Sequence, residues 1–405
     1  MRVLIADKFS PHGLAILQGM VDEVIFRPGL TAEELPEVLA ETGAAVLIVR
    51  STKVSEAALG STDALSLVIR AGAGVNTIDC QAASRRGIFV ANCPGKNAIA
   101  VAELTMGLLL ALDRRIVDAT LDLRGGHWHK SKYSKARGLK GQTLGLVGFG
   151  MIAREVAVRA RSFGIKLQVF SRTPIDAETA ENYGITAAAS LPDLLRSSDI
   201  ISVHIPYNPN THHIIGRDEL ALMPTNAILL HTARGGVVDD EALAEAVKSG
   251  RLRAGTDVFE GEPAGGSADF ESPLLGLEGV YATPHIGASS EQAATAISNE
   301  VLRIIHDYLA KGIVHNTVNI VNDRVARFRL IIRHVDKVGI LAGILSALRS
   351  EQLNVQEMQN IIFARGEAAC ATITLEHRPS DALLDRLRAQ EMILAVDLRS
   401  TGAQA

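Results

Sequence analysis

Three polar residues in the middle of the chain supply the side chains that the oxidation of a secondary alcohol requires. They are Arg234 in Thr-Ala-Arg-Gly-Gly, Glu262 in Phe-Glu-Gly-Glu-Pro and His285 in Thr-Pro-His-Ile-Gly. A histidine takes the hydroxyl proton, a carboxylate holds and charges that histidine, and an arginine binds the substrate's carboxylate and carbonyl. Taken singly, each is equally well explained as a solvated loop residue. Because each follows a short apolar run, we predict all three at the carboxyl ends of strands, over 227–230, 254–258 and 280–282.

A glycine-rich turn follows an apolar run that starts at Leu144. Gly148-x-Gly150-x-x-Ala153 has the spacing of a dinucleotide-binding turn, in which the first glycine allows a sharp bend and the second lets the backbone approach a pyrophosphate. The small Ala153 lets the next helix pack closely on the strand. The triplet alone would also fit a plain turn between a strand and a helix. A predicted helix over 154–162 and a second strand within 163–170 complete a βαβ unit, which favours the dinucleotide site.

The end of that second strand bears on the choice of cofactor. A strand at this place in a dinucleotide-binding sheet usually ends in an acid that binds the ribose hydroxyls, whereas this one ends in Ser171-Arg172. Losing the acid removes its repulsion of a 2′-phosphate, and a guanidinium is a good partner for that group. One hypothesis is therefore that the chain binds NADP. The alternative, of equal standing, is that Arg172 is a solvated residue that stacks on the adenine.

The composition argues against several classes of function. With 405 residues the chain should form two or three domains, and a net charge of −4 with both signs interspersed offers no basic surface for nucleic acid. The apolar run over 104–112 is too short to span a bilayer, and the first residues predict a strand rather than a leader. Cys80, Cys93 and Cys370 lack the spacing of a metal site and indicate reduced thiols. We therefore expect a cytoplasmic protein with no metal, membrane or nucleic-acid partner.

The hydrophobic pattern predicts an α/β protein with two doubly wound parallel sheets. Up to residue 95, strands over 3–6, 23–26, 45–50, 67–71 and 88–91 alternate with helices such as 31–41. A long helix over 98–115, with Asn97 at its N-cap, leads to a second sheet that begins at Thr143. Two such sheets in series suggest a cleft that binds a small molecule.

A third, smaller module is predicted from Asp323 onward. The pattern there changes to β-α-β-β-α-β, and it contains no glycine-rich phosphate loop. A role in binding or assembly is therefore favoured over chemistry. The predicted elements span 327–335, 339–350, 355–364, 369–376, 380–390 and 392–398.

Taken together, these motifs resemble the D-isomer-specific 2-hydroxyacid dehydrogenases, and the resemblance extends over essentially the whole chain. It rests on four stretches, which are Gly148–Ala153, Ala233–Gly236, Asp257–Phe259 and Pro284–Ala288. The resemblance implies that Arg234 orients the substrate and that Glu262 pairs with His285. It also implies that His285 exchanges the proton while a hydride moves to or from the nicotinamide.

The same resemblance implies a domain division and a cofactor site. A flavodoxin-like substrate domain would comprise 1–95 and 286–320, and a Rossmann domain for NAD or NADP would comprise 96–285. Asp257 would contact the nicotinamide carboxamide. The other residues expected to line the cofactor are Gly148, Gly150, Met151, Ile152, Ser171, Arg172, His204, Ile205, Pro206, Thr232, Ala233, Gly287 and Ala288.

Three further stretches are similar to those of family members that oxidise 3-phosphoglycerate for serine synthesis. Val49–Val54 resembles a loop with an arginine for the substrate's anionic groups, Arg70–Val75 a backbone cradle for a carboxylate, and Asn92–Asn97 a loop that closes over the substrate. Lys53 and Lys96 would assist the arginine at the phosphate, or are simply surface lysines. The implied substrate ligands are Arg50, Ser51, Ala73, Gly74 and Asn97.

The last module, 323–405, resembles an ACT domain, an amino-acid-sensing module of ferredoxin-like topology. In ACT domains that bind serine, a His-x-Asn pair before the first helix and an Asn after it hold the effector across a dimer. The matching residues here are His334, Asp336 and Asn354. Aspartate in place of asparagine keeps an acceptor for the effector's ammonium but repels its carboxylate. Regulation by serine is one hypothesis, and a module that only dimerises the chain is the other.

Two other classes of protein share much of this pattern. NADP-linked glyoxylate or hydroxypyruvate reductases have the same catalytic residues and often an arginine after the second strand, but they usually end without a C-terminal module. Some non-enzymatic dinucleotide sensors that act as corepressors keep the fold and its Arg, Glu and His. The partners that we expect are a small-molecule substrate, an amino-acid effector and further copies of the chain, as a homo-oligomer.

Overall fold

The computed structural model describes residues 1–263, 268–321 and 327–400. They form two compact units, Met1–Asn319 and the part of the chain from Ile320 onward. The predicted start of the last module at Asp323 lies outside the described residues. Within the described ranges, no helix combines the length and the apolar character needed to cross a membrane.

A five-stranded parallel sheet opens the first unit. Its elements are β1 (Arg2–Ile5), α1 (Pro11–Met20), β2 (Glu23–Phe26), α2 (Leu35–Thr42), β3 (Val46–Val49), α3 (Glu56–Leu59), β4 (Leu67–Arg70), α4 (Cys80–Arg85) and β5 (Phe89–Asn92). The whole of β3 is buried, as expected of a parallel strand covered by helices on both faces. The strand order is β2-β1-β3-β4-β5, so it reverses between β1 and β3. The helix predicted from residue 31 begins only at Leu35, because the Glu34 carboxylate binds the backbone N–H and hydroxyl of Thr31 in a turn.

A seven-stranded parallel sheet follows. Its order is β12-β11-β10-β9-β6-β7-β8, and it reverses between β6 and β9. The Gly148 turn lies at the carboxyl end of β6, the place where open α/β sheets bind ligands. The elements of this part are α5 (Ala98–Arg114), α6 (Ile116–Arg124), α7 (Lys130–Tyr133), β6 (Thr143–Val147), α8 (Met151–Ser162), β7 (Lys166–Phe170), α9 (Ala177–Tyr183), β8 (Ile185–Ala187), α10 (Leu191–Ser197), β9 (Ile200–Val203), α11 (Arg217–Leu222), β10 (Ala227–His231), α12 (Asp240–Lys248), β11 (Leu252–Thr256) and β12 (Val280–Ala282).

Two long helices connect the sheets in opposite directions. α5 packs on α8 and on strands β10, β11 and β12 of the second sheet. The helix after β12, α13 (Glu291–Lys311), packs on α1 and places Ile297, Val301 and Ile304 in the core of the first sheet. The chain therefore leaves the first sheet after β5 and returns to it with α13.

One boundary near the glycine turn differs from the sequence prediction, and the predicted N-cap of α5 is confirmed. α8 begins at Met151 and not at residue 154, because Gly150 is already the extended N-cap residue and the first helical turn follows it directly. Asn97 does occupy the N-cap of α5, but its side chain makes no capping hydrogen bond. The amide of Asn97 is thus not used to start the helix.

The second unit contains the elements predicted for it. They are β13 (Phe328–Val335), α14 (Ile340–Ser350), β14 (Val355–Ile362), β15 (Ala368–Leu375), α15 (Asp381–Arg388) and β16 (Ile393–Ser400). The sheet is antiparallel, with the order β14-β15-β13-β16. Alternate residues of β13, among them Leu330 and Ile332, pack against Ile344 and Leu348 of α14 in a separate core. Both β14 and β16 are edge strands.

Candidate active site

A histidine–glutamate pair lies at the carboxyl ends of neighbouring strands. Glu262 follows β11 and His285 follows β12, and Nδ1 of His285 lies 2.6 Å from Oε2 of Glu262. The other carboxylate oxygen of Glu262 accepts the Phe259 N–H at 2.8 Å. Burial opposes ionisation of Glu262, but the hydrogen bonds from His285 and Phe259 and the charge of Arg234 together hold its pKa below the ordinary value. The pair is thus a carboxylate that orients an imidazole.

Asp257 fixes the loop that carries His285. Its Oδ1 accepts the Thr283 hydroxyl at 2.5 Å and the Ile286 N–H at 2.8 Å, and its Oδ2 accepts the Gly287 N–H at 2.7 Å. These bonds hold His285 in a left-handed conformation with φ of 51°, which costs a non-glycine residue energy. A Cβ on Gly287 would lie 2.9 Å from Oδ2 of Asp257, so a larger residue there would displace this carboxylate. Both oxygens of Asp257 thus position the loop of His285, and the contact with the nicotinamide carboxamide that the resemblance implies stays a prediction.

Arg234 lines a cavity of about 240 Å³ between the two sheets. Residues predicted from the sequence for substrate and for cofactor meet there, which brings the two predicted sites together. Gly74 is close to the arginine, because a Cβ at that position would lie 3.1 Å from Nη2 of Arg234. Sequence reasoning missed Asn76 and Tyr207, although each directly follows a predicted segment. The full lining is Ala73, Gly74, Asn76, Ile152, His204, Ile205, Pro206, Tyr207, Ala233 and Arg234.

The glycine turn has the shape that a dinucleotide requires. Gly148 has φ of 90°, and a Cβ there would lie 2.8 Å from the carbonyl oxygen of His204, so the turn cannot carry a side chain. A Cβ on Gly150 would meet no atom within 4 Å, which leaves the start of α8 open to a pyrophosphate. Met151 is exposed beside it and contacts Gly95 of the predicted closing loop. These residues fit a dinucleotide.

Two histidines beside the cavity that Arg234 lines, His204 and His231, have buried ring nitrogens. Burial and the nearby His231 lower the pKa of His204 to about 3, and burial lowers the pKa of His231 to about 4. Neither ring nitrogen of His231 makes a hydrogen bond of normal geometry to the described residues, whereas Nε2 of His204 lies 2.7 Å from the Ser202 hydroxyl. Thr232, predicted to line the cofactor, is buried and its hydroxyl lies 2.9 Å from that of Thr105. Sequence reasoning did not identify His231.

The Arg50 loop is held by a residue that the sequence did not point to. Oδ2 of Asp7, which follows β1, accepts the N–H groups of Arg50, Ser51 and Thr52 at 2.6, 3.0 and 3.1 Å. Its Oδ1 accepts the Ser51 hydroxyl at 2.8 Å. Ser51, predicted to bind substrate, therefore uses its N–H and its hydroxyl on Asp7. The side chain of Arg50 makes no ion pair with the residues that the structure describes, so it remains available to a substrate.

The structure also locates the residues predicted to select the cofactor and the loop predicted to close over the substrate. Ser171 and Arg172 follow β7 directly, and Arg172 is exposed, with no ion pair among the described residues. Lys96 of the Asn92–Asn97 loop pairs instead with Glu300 of α13 at 3.2 Å. In this structure the ammonium of Lys96 is therefore neutralised by a carboxylate, which weakens the case for a role at a substrate phosphate.

The residues predicted to bind an effector lie in the second unit. His334 is 1% exposed, with Nδ1 2.8 Å from the Val335 carbonyl oxygen and Nε2 3.1 Å from Oδ1 of Asn360. Asp336 follows β13, and its N–H donates to the Glu367 carbonyl at 3.1 Å. Asn354 lies just before β14. His334 thus uses both ring nitrogens within its own module.

Comparison with known proteins bears on the family. Residues 106–287 match the model of the NAD binding domain of D-isomer specific 2-hydroxyacid dehydrogenases. The hydroxypyruvate reductase of Thermotoga maritima is 40% identical over 306 residues, which cover 75% of this chain and 97% of that protein. The chain belongs to the D-isomer-specific 2-hydroxyacid dehydrogenases. This family uses NAD or NADP to oxidise hydroxy acids or to reduce oxo acids. The roles of Arg234, Glu262 and His285 in that chemistry stay predictions.

Other relatives extend the likeness. The D-3-phosphoglycerate dehydrogenase of Methanocaldococcus jannaschii is 39% identical over 335 residues, which cover 81% of this chain and 62% of that protein. This chain therefore spans less than two thirds of the length of that relative. Among solved structures, the TT0316 protein of Thermus thermophilus is 34% identical with a TM-score of 0.71, covering 78% of this chain and 100% of that one.

Proposed function

We propose that this chain oxidises 3-phosphoglycerate to 3-phosphohydroxypyruvate, as a D-3-phosphoglycerate dehydrogenase of L-serine biosynthesis. The observation that carries the proposal is the grouping of Arg50, Arg70 and Arg234. Burial, and then the repulsion of Arg234 and Arg50, lowers the pKa of Arg70, and its buried Nε has no hydrogen-bond partner among the described residues. Such a concentration of positive charge suits a small substrate with an anionic group at each end.

The catalytic residues take roles that follow from their contacts. Arg234 and the Ala73–Gly74 backbone, which line one cavity, would hold the substrate's carboxylate. The hydroxyl proton would pass to Nε2 of His285, because Nδ1 already faces Glu262. Glu262 would then stabilise the imidazolium that forms. The nicotinamide, when bound on the glycine turn, supplies the hydride acceptor.

The cofactor preference is proposed to depend on Arg172. An exposed guanidinium directly after β7, with no acid in place of Ser171, supports binding of a 2′-phosphate. Replacing Arg172 by Ala should weaken binding of NADPH by about tenfold and leave binding of NADH nearly unchanged. An equal loss of affinity for NADPH and NADH would instead support the alternative in which Arg172 stacks on the adenine.

We also propose that the second unit is an ACT domain and that the first unit is divided as the family implies, into 1–95 with 286–320 and 96–285. The strand order and the β-α-β-β-α-β sequence of the second unit suit a ferredoxin-like module. Because His334 is internally bonded, serine regulation would depend on Asp336 and Asn354. A flat initial rate against added serine, with no binding by calorimetry, would leave dimerisation as the role of the module.

A homo-oligomer is the proposed assembly. Several large apolar side chains of α6 and the segment after it are exposed, among them Leu121 at 58%, Leu123 at 57% and Trp128 at 78%. A monomer seldom exposes so many within one short segment, and a second copy of the chain would cover them. Analytical ultracentrifugation of the whole chain would measure the state.

A second candidate function is an NADP-dependent glyoxylate or hydroxypyruvate reductase, favoured by the likeness to the Thermotoga maritima hydroxypyruvate reductase. The deciding experiment compares initial rates, in both directions, with the phosphorylated pair and with glyoxylate and hydroxypyruvate, each with both cofactors. A large preference for the phosphorylated pair supports the first function. Preference for glyoxylate or hydroxypyruvate with NADPH replaces it with the second, and no turnover with any of them would favour a dinucleotide sensor.

A further inference from the structure

A small cavity of about 140 Å³ opens where the chain leaves β1 and β3 of the first sheet. These two strands are neighbours, and the strand order of the sheet reverses between them. In open α/β sheets, the crevice outside the carboxyl ends of such strands is where ligands bind. The volume is below that of a pocket for a whole drug-sized molecule, so it suits a small group. Its lining comprises Lys8, Phe9, Ser10, Arg50, Ala71, Ala294 and Ile297.

The charge of this cavity is positive. Lys8 comes from the loop after β1 and Arg50 from the end of β3, and neither makes an ion pair among the described residues. The adjacent carboxylate, Asp7, is turned away to the backbone of the Arg50 loop, where it accepts three N–H groups. Arg70 is next to Ala71 of the lining, and the positive charges of Arg50 and Arg234 repel its own charge. An anion placed here would therefore find two cationic side chains without competing partners.

The helix that follows Lys8, α1, adds to the positive potential of this cavity. Ser10 is the N-cap of α1, with its hydroxyl accepting the Gly13 N–H at 2.9 Å and donating to Ser298 at 3.0 Å. The positive end of the helix dipole thus lies beside the residue that lines the cavity. Ser298 belongs to α13, so that helix fixes the wall from the other side.

We propose that Lys8, beside the already implied Arg50, completes the phosphate-binding end of the substrate site and is its specificity-determining residue. This inference rests on the proposed function, because it assumes a phosphorylated substrate whose carboxylate lies at Arg234. It replaces the two lysines that the sequence suggested for this role. Lys53 does not line the cavity, and Lys96 is paired with Glu300.

The test compares Lys8→Ala with Lys53→Ala, an exposed lysine of the Arg50 loop, in the whole chain. Reduction of phosphohydroxypyruvate and of hydroxypyruvate is measured for each variant. Lys8→Ala should raise KM for phosphohydroxypyruvate by about tenfold or more, as loss of a charge-assisted contact predicts, and change hydroxypyruvate kinetics by less than about twofold. Lys53→Ala should match the wild type on both substrates. The inference is overturned if the two variants behave alike, or if Lys8→Ala loses both substrates equally.

A second measurement separates this inference from the proposed function. If the wild type fails to prefer phosphorylated substrates, the proposed function is wrong, but inorganic phosphate can still be titrated as an inhibitor of hydroxypyruvate reduction. Weaker inhibition of Lys8→Ala than of Lys53→Ala would then support an anion site at Lys8. Equal inhibition constants in the two variants would overturn it.

Discussion

Replacing His231 by Asn should make the protein less sensitive to acid. His231 is the last residue of β10 and is 1% exposed, and burial lowers its pKa from 6.5 to about 4. The folded chain therefore keeps this imidazole neutral where the unfolded chain would protonate it. Stability from this group is complete above pH 6.5 and is lost as the pH falls toward 4.

The size of the effect follows from those two pKa values. At pH 5, about 1.5 units below the pKa of the unfolded chain, protonation of His231 stabilises the unfolded chain. Each unit is worth about 1.4 kcal/mol, so His231 lowers the free energy of unfolding of the wild type by about 2 kcal/mol. At pH 8 this cost vanishes. Asparagine takes up no proton, and whatever its own packing costs is the same at both pH values. The variant should thus gain about 2 kcal/mol relative to the wild type between pH 8 and pH 5.

Urea unfolding of the cofactor-free chain, followed by circular dichroism at both pH values, measures this difference. His12→Asn is the matched control, because His12 is exposed in α1 and the same substitution there should give one difference at both pH values. A His231→Asn difference that stays constant from pH 8 to pH 5 would refute the reasoning. So would an equal pH-dependent gain in the control.

Three further outcomes are expected. His285→Gln should lower kcat by on the order of 10² or more while cofactor binding is retained, and near-normal turnover would remove this residue from the mechanism. Gly235→Ala should destabilise the chain by about 2 kcal/mol, because the new Cβ would lie 1.9 Å from the Phe259 carbonyl oxygen, whereas Gly107→Ala, where no atom lies within 4 Å, should not. Burial raises the pKa of Asp240 to about 6, so its charge costs stability as the pH rises through that value. Asp240→Asn should accordingly raise Tm at pH 8 and not at pH 4, and an equal shift at both would contradict it.

The positions of the proposed catalytic residues could be predicted from the sequence because their signals are local. Arg234, Glu262 and His285 each follow a short apolar run, and parallel strands bring their carboxyl ends to one edge of a sheet. The pairing of His285 with Glu262 at 2.6 Å is the contact that these positions imply. The glycine turn could also be predicted from the sequence, because the bend after β6 tolerates no Cβ at Gly148.

The supporting residues could not be predicted in this way, because their partners are distant in sequence. Asp7 binds the loop at Arg50, and Asp257 binds the loop at Gly287, through backbone N–H groups that carry no side-chain signature. The cofactor contact expected for Asp257 stays a prediction, and the structure adds that its two oxygens bind the loop of His285. Which way a carboxylate turns is decided by the groups that the fold brings beside it.

The sequence by itself therefore determined the two parallel sheets, the dinucleotide turn and the placement of Arg234, Glu262 and His285 after strands of one sheet. Hydrophobic periodicity and glycine spacing are set by a few neighbouring residues, so they can be recognised without knowing how the elements pack. Only the tertiary structure decided that His231 is buried, that Lys96 is occupied by Glu300 and that Lys8 shares a cavity with Arg50. Burial and ion pairing depend on which surfaces meet when the sheets and helices pack, and that is a property of the whole fold.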